Sequence, residues 1–148
     1  MKKSLLIVAL MSLAGFASAA EIGLVGGAQY QSKEQITYGV TLGEKFGKVG
    51  VEASAEKARK NGNEDRYGLV GSYDVLNVGK ATVAAKAGVA YLNTHNSVNG
   101  FAATVGAGVS YPVLKDVSVG ADYRYQSGQD RVTQFNGNSW LASIKYKF

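Results

Sequence analysis

From Glu21 to the last residue, apolar and polar side chains alternate with a period of two over most of the chain. This alternation predicts β-strands, because successive side chains of a strand point to opposite faces. Eight such segments are separated by turn-forming residues: 21–30, 35–43, 49–56, 66–75, 81–92, 101–111, 117–126 and 139–148. No helical period competes with this pattern after residue 20, so we expect an all-β protein.

Two kinds of connection alternate between these segments. "GEKFGKV", "LNVGKA" and "PVLKDV" are compact, whereas "QSKE", "KARKNGNED", "NTHNSVNG" and "SGQDRVTQFNGN" are polar and mostly longer. The alternation is typical of an up-and-down barrel, with tight turns at one end and longer loops at the other. We therefore predict an eight-stranded antiparallel up-and-down β-barrel. The similar stretches "SYDVLNV" and "SYPVLKDV" indicate that two of the hairpins share one local sequence pattern.

The distribution of aromatic and small residues indicates which face of this barrel meets water. All but one of the aromatic residues after position 20 fall on the apolar register or its extension into a turn, the exception being Phe135. They cluster at both ends of the strands, as amphipathic rings do at the two interfaces of a membrane. The opposite face is rich in Gly, Ser and Thr, which suits a narrow interior better than a soluble exterior. We therefore predict a transmembrane barrel whose apolar face meets lipid.

The few charges on the small-residue face nearly balance. Because buried charges must be paired or hydrated, we predict an interior ion network that contains Glu52, Lys86, Asp122 and Arg124. A solvated face with unpaired charges is the alternative. Closure of the last strand onto the first is expected to bring the inward-pointing Lys145 and Lys147 near Glu21.

The first nineteen residues differ from the rest. They contain two lysines, an apolar run too short to span a bilayer as a helix, and the small residues Ala17 and Ala19. This order is that of a secretory signal peptide. We expect residues 1–19 to be removed, with cleavage after Ala20 as the alternative, and residues 20–148 to form the barrel.

The composition excludes several functions. Without the two lysines of the signal segment, the net charge falls from +5 to about +3, too little for a dedicated nucleic-acid binder. The chain has no cysteine and one histidine, so a disulfide framework and a zinc site of the usual ligands are not expected. We expect no metal, no cofactor and no nucleic-acid partner.

The C-terminal stretch "WLASIKYKF" carries a specific resemblance. A terminal aromatic preceded by aromatic or apolar residues two, four and more places earlier resembles the assembly signal of the small eight-stranded outer-membrane barrels of Gram-negative bacteria, the OmpX, Ail, Opa and OmpA-barrel type. The resemblance implies insertion by the barrel assembly machinery, which would recognise Ile144, Tyr146 and Phe148. It also implies location in the cell outer membrane with both termini in the periplasm. We expect a monomer.

Three functions remain open at this point. The first is a structural or surface-interaction role without catalysis, with outer-membrane lipid and lipopolysaccharide as partners. The second is a narrow porin-like channel past Lys86 and Arg124. The third is a lipid A-modifying enzyme, for which His95 with Ser97 is the candidate, although that composition is also typical of a solvated turn.

A basic run after the third segment is a candidate surface site. It contains Lys57, Arg59, Lys60 and Arg66, which could contact lipopolysaccharide phosphates. A solvated loop is the alternative.

Overall fold

The structure is a computed structural model that describes residues 20–30, 34–59, 64–94, 99–128 and 136–148. These ranges form eight strands: β1 (Ala20–Tyr30), β2 (Glu34–Phe46), β3 (Val49–Arg59), β4 (Glu64–Val78), β5 (Ala81–Thr94), β6 (Asn99–Pro112), β7 (Val117–Gly128) and β8 (Gly137–Lys147). Each strand pairs antiparallel with the next, and β8 pairs with β1 to close the barrel. The predicted eight-stranded antiparallel up-and-down barrel is confirmed. Residues 1–19 lie outside the described ranges, so the signal peptide stays a prediction.

Three tight connections define one end of the barrel, called here the turn end. Gly47 and Gly79 begin two-residue turns with φ values of 61° and 62°, as the primed hairpin turns require. In the third connection, residues 113–116, the Val113 N–H donates to the Val117 carbonyl oxygen at 2.9 Å. The opposite end, where β1, β3, β5 and β7 end and β2, β4, β6 and β8 begin, is called the loop end.

The strands are longer than the sequence predicted, above all on the two sides of "KARKNGNED". This stretch was predicted to be a loop because it is charged, yet β3 continues to Arg59 and β4 begins at Glu64. Opposite charges face each other across the two strands here, with Lys57 opposite Asp65 inside this stretch and Glu56 opposite Arg66 on either side of it. Opposite charges at facing positions stabilise a sheet, so a charged sequence does not end these strands.

A β-bulge interrupts the alternation in β4. The register shifts between Asp74, which pairs with Ala84, and Leu76, which pairs with Val83. Val75 is the extra residue, so Val75 and Leu76 are both exposed despite being neighbours, at 63% and 55%. The sequence placed Val75 on the apolar face but did not predict the bulge.

The apolar register predicted from the sequence lies on the outside of the barrel. Leu24, Leu69, Val89 and Val105 are each more than half exposed, whereas Thr104, beside Val105 in the chain, is 7% exposed. The aromatic residues of the described strands lie on the same outer face. Those of which more than half is exposed include Phe46, Tyr73, Phe101, Trp140 and Phe148. The barrel therefore has the opposite polarity to a soluble barrel, whose apolar side chains point inward.

The interior mixes polar and apolar side chains. Its buried residues include Thr37, Thr41, Ser54, Gln29 and Ser139, together with the apolar residues Val25, Val70, Leu92 and Leu141. Leu92 is completely inaccessible to solvent. An eight-stranded barrel is just wide enough for its inward side chains to fill.

Inward-facing glycines allow the strands to approach closely. A Cβ atom at Gly88 would collide with the carbonyl oxygen of Leu69 and lie 2.7 Å from the Cα of Val70, both on the neighbouring strand. A Cβ atom at Gly106 would likewise collide with the Tyr123 carbonyl oxygen. Glycine at such positions permits the sharp bending that closes a small barrel.

We expect Gly88→Ala to destabilise the barrel by about 1–3 kcal/mol, because backbone atoms must move to admit the methyl group. Gly71→Ala is the matched control, since its new methyl would point outward and meet nothing closer than the Ala87 carbonyl oxygen at 3.7 Å. Reversible urea unfolding in lipid vesicles measures both changes. Equal free energies of unfolding for the two variants would contradict the close-approach argument.

Candidate functional site

Four side chains meet in the interior of the barrel and form what we call the charged layer: Glu56, Arg66, Arg124 and Gln126. Arg124 Nη1 donates to Glu56 Oε1 at 2.8 Å, and Arg66 Nη1 donates to Glu56 Oε2 at 3.5 Å. Arg66 Nη2 also donates to the Gln126 side-chain oxygen. Each of the four residues is at most 5% exposed. One carboxylate is therefore held between two guanidinium groups, with water largely excluded.

Further ion pairs lie between the charged layer and the turn end. Lys86 Nζ lies 2.6 Å from Asp122 Oδ1, and Lys145 pairs with Glu52. Arg124 joins them to the charged layer, because its Nη2 lies 3.7 Å from Glu52 Oε1 and 3.9 Å from Asp122 Oδ2. A more exposed pair at the turn end joins Lys45 Nζ to Asp74 Oδ2 at 2.6 Å.

Strand alternation and neighbouring glycines position these charges. Glu52 and Glu56 point inward from β3 with Ser54 between them on the same face, and Asp122 and Arg124 do so from β7. Glycine often stands on the adjacent strand, as at Gly39, where a Cβ atom would lie 2.9 Å from Glu56 Cγ. The small residues of the inner face therefore provide the room that a few long charged side chains occupy.

The interior is more open toward the turn end. A cavity of about 110 Å³ lies there, and its lining includes Glu52, Lys86, Asp122 and Lys145 with several serines. A polar cavity of this size can hold several water molecules, each hydrogen-bonded to the lining groups. The ion pairs below the charged layer therefore border a hydrated space, whereas Glu56 and Arg124 lie beyond its reach.

The structure brings together all four residues of the predicted ion network. Glu52, Lys86, Asp122 and Arg124 form one connected set of ion pairs. Of the two lysines expected in the interior, Lys145 pairs with Glu52. Lys147 is instead exposed at the end of β8, although its backbone is opposite Glu21 as expected.

One predicted surface residue proves to be interior. Arg66 was expected to contact lipopolysaccharide, but it is 5% exposed and points into the barrel, where it binds Glu56. The reason is alternation: the outward position of Tyr67 fixes Arg66 on the inner face. Lys57 and Arg59 are exposed on the outer face, and Lys60 lies outside the described residues.

The remaining candidates are the predicted assembly signal and the residues considered for catalysis. Ile144, Tyr146 and Phe148 are 50%, 50% and 59% exposed on one outward row, and the rings of Tyr146 and Phe148 stack with centroids 6.5 Å apart. His95 and Ser97, the residues considered for catalysis, lie outside the described residues. Among the residues that are described, no group of three or more His, Cys, Asp or Glu side chains could hold a metal ion.

The sequence alone did not identify Arg66 and Gln126 as members of the charged layer. Both are terminal residues of the predicted segments 66–75 and 117–126, next to polar loop residues. Counting in steps of two along each strand could have identified them: Arg66 is two residues from the inward Gly68, and Gln126 is two residues from the inward Arg124.

Arg124→Met is expected to destabilise the barrel by about 3–5 kcal/mol, because it removes the nearest partner of a buried carboxylate. Lys45→Met is the control, since Lys45 has 39% of its side chain exposed and its ion pair is worth at most about 1 kcal/mol. Urea unfolding in lipid vesicles gives both values. Adding Glu56→Gln to Arg124→Met should recover part of the loss, and a double variant no better than the single one would contradict the assignment.

No family model matches the sequence, and no curated protein matches it either. Solved structures do match. The N-terminal β-barrel domain of Pseudomonas aeruginosa OprF superimposes with a TM-score of 0.72 at 18% identity, covering 88% of this chain and 98% of that one. Neisserial surface protein A gives 0.62 at 17% identity, over 88% and 96% of the two chains. The outer membrane enzyme PagL gives 0.59 at 17% identity, over 86% and 99%.

These similarities extend over nearly the whole of each matched structure and nearly all of the barrel described above. The matched proteins include both an enzyme and a surface protein, so a common fold accompanies different functions. No helix in the described part of the chain is long and apolar enough to cross a membrane. With its closed ring of eight antiparallel strands, the chain has the fold of the small eight-stranded outer-membrane β-barrels.

Proposed function

We propose that this protein is an integral outer-membrane β-barrel of a Gram-negative bacterium, with a structural or surface-interaction role and no catalytic activity. In this proposal residues 1–19 direct export and are removed, and the turn end faces the periplasm. The observation that carries the proposal is the reversed polarity of the barrel. Leu24, Leu69 and Val105 cover its outside, while Glu56 and Arg124 are buried inside.

The dimensions of the barrel fit a bilayer. Its strands have 11–15 residues, and a tilted strand needs about 9–11 residues to cross the hydrocarbon region. Exposed aromatic rings lie toward both ends, with Tyr123 and Trp140 in contact near the loop end and Tyr146 and Phe148 at the turn end. Paired aromatic belts at these positions support a membrane location, because such rings favour the interface between hydrocarbon and water.

The contacts inside the barrel favour a structural role over a channel. The charged layer and the inward apolar residues Leu92 and Leu141 are almost inaccessible to solvent. Ions would have to displace side chains that are bound to one another. A narrow channel past Lys86 and Arg124 remains the alternative, and the cavity at the turn end is the observation in its favour.

The enzyme PagL has the same fold, so the fold itself does not distinguish a catalyst from a structural barrel. The non-catalytic proposal is supported by the buried charges, because Glu56, Arg66 and Arg124 bind one another and do not face the outer surface that lipid contacts. Mass spectrometry of lipid A from cells that express the protein tests this point. A change in acylation that depends on His95 would overturn it.

The outer surface near the loop end offers contacts for lipopolysaccharide. Lys57 and Arg59 are exposed on the outer face of β3, opposite Tyr38 and Ile36 of β2. Cations at this height would lie beside the phosphate groups of the outer leaflet if the loop end faces the cell exterior. Lipopolysaccharide is therefore the surface partner that we propose for these two residues.

In planar lipid bilayers, the purified protein is expected to produce no steady single-channel conductance, because the charged layer fills the interior. The measurement should include Arg124→Ala, which removes one of the two arginine side chains of that layer. Conductance from the wild-type protein that follows salt concentration, as in an aqueous pore, would favour the channel alternative and contradict the structural proposal.

Deletion of Phe148 tests the outer-membrane assignment in cells. We expect a lower yield in outer-membrane fractions and accumulation of protease-sensitive chain, because a recognition element acts before the strands have paired. The refolded protein should still migrate as a heat-modifiable barrel in detergent. Phe46→Ala is the matched control, since Phe46 is 61% exposed at the same end but lies outside the terminal strand. Normal assembly without Phe148 would contradict the proposed assembly signal.

A further inference from the structure

The three connections at the turn end have a common chemical design. Each places one lysine beside exposed apolar residues: Lys48 follows Phe46, Lys80 follows Val78, and Lys115 follows Leu114. The three apolar residues are 61%, 61% and 66% exposed, and all three lysines are exposed. We call these segments together, residues 46–49, 76–80 and 113–116, the turn surface.

The lysines of the turn surface differ from those of the interior in their partners. Lys45, Lys86 and Lys145 point inward, and each has a carboxylate within ion-pair distance. No ion pair in the described part of the chain involves a lysine of the turn surface. Their ammonium groups are therefore available to an external anion.

Four carboxylates lie at the turn end. Glu21 and Glu44 are half-buried, Asp74 pairs with Lys45 while its backbone N–H donates to the Lys48 carbonyl oxygen at 2.8 Å, and Asp116 is exposed beside Lys115. None of the four is within ion-pair distance of a lysine of the turn surface. They reduce the net positive charge of this end but leave each ammonium group free.

The local backbone fixes where two of the lysines stand. Gly47 and Gly79 hold positive φ angles at the start of two-residue turns, so Lys48 and Lys80 occupy equivalent second positions in rigid hairpin tips. Their side chains can run along the neighbouring apolar residues and place the ammonium group at the level of lipid head groups. The lysines thus stand at the edge of the apolar band that covers the outside of the barrel.

We propose that the turn surface binds the anionic head groups of phospholipids in the leaflet that the turn end enters. The partner is defined by two features that occur together: exposed side chains such as Leu76 and Leu114, suited to acyl chains, and adjacent unpaired ammonium groups, suited to a phosphate. The proposal rests on the membrane location proposed above. It adds that the turn end prefers anionic phospholipids to zwitterionic ones.

Lipid selectivity can be measured by electron paramagnetic resonance of spin-labelled lipids around the protein. The protein is purified from membranes of expressing cells and reconstituted in phosphatidylcholine with a trace of spin-labelled phosphatidylglycerol or phosphatidylcholine. At low salt we expect the anionic label to associate about three- to fivefold more strongly, the scale of one lysine beside an anionic surface. The preference should decline at 0.5 M NaCl, roughly as expected for screened charges.

Three variants assign this preference to residues. Lys48→Gln/Lys80→Gln/Lys115→Gln should remove most of it, and the triple lysine-to-arginine variant should retain it. Lys57→Gln/Arg59→Gln removes cations near the loop end and should have the smaller effect. Heat-modifiable migration on a gel checks that each variant is folded.

Several results would overturn the proposal. These are equal association of the two labels with the wild-type protein, an unchanged preference in the triple glutamine variant, or a loss caused only by the variant of Lys57 and Arg59. In each case a barrel that still inserts into vesicles leaves the proposed membrane location intact. Failure of the wild-type barrel to insert would contradict that location itself.

Discussion

The Glu56 carboxylate, held between Arg66 and Arg124, is the interaction on which the arrangement of the barrel depends. A buried carboxylate is costly unless its charge is matched, and three strands contribute to matching it here. The two arginines occupy space that a ring of eight strands provides only where neighbouring inward residues are small. Glycine at positions such as Gly39 and Gly106 is the consequence, since these residues let the strands approach while the charged side chains fill the middle.

The charged interior and the apolar exterior both depend on closure of the barrel. The closed ring satisfies the backbone hydrogen bonds of every strand, because β8 returns to β1 and leaves no open edge. The outer side chains can then be apolar without exposing polar backbone to hydrocarbon. At the turn end, exposed lysines border the apolar outer surface, so positively charged groups lie between that surface and water. The two ends of the barrel therefore differ in chemistry as well as in the length of their connections.

The sequence predicted those features that depend on a period of two. It placed Val105 outside and Thr104 inside correctly, because neighbouring residues of a strand must face opposite ways. It did not predict the bulge at Val75, since nothing in "DVLNV" distinguishes an extra residue from a continued strand. It also grouped Arg66 with Lys57, Arg59 and Lys60 as a surface site, although Arg66 begins the predicted segment 66–75 next to the outward Tyr67 and therefore has inward parity.

The partners of each charge could not be read from the sequence in the same way. Glu52 was predicted to belong to the network with Arg124, but the nearest carboxylate to Arg124 is that of Glu56. Whether Glu52 or Glu56 lies nearer the Arg124 guanidinium depends on the stagger between β3 and β7, which are far apart in sequence. Closure of the eight-stranded ring sets this stagger.

Contact between the apolar face of the barrel and lipid can be tested directly at the single tryptophan, Trp140. Trp140 is 59% exposed on the outer face, and its ring centroid lies 4.9 Å from that of Tyr123. In vesicles whose phospholipid chains carry bromine near the head group, its fluorescence should be strongly quenched, while aqueous acrylamide should have little effect. Strong quenching by acrylamide with no effect of the brominated lipids would contradict the account.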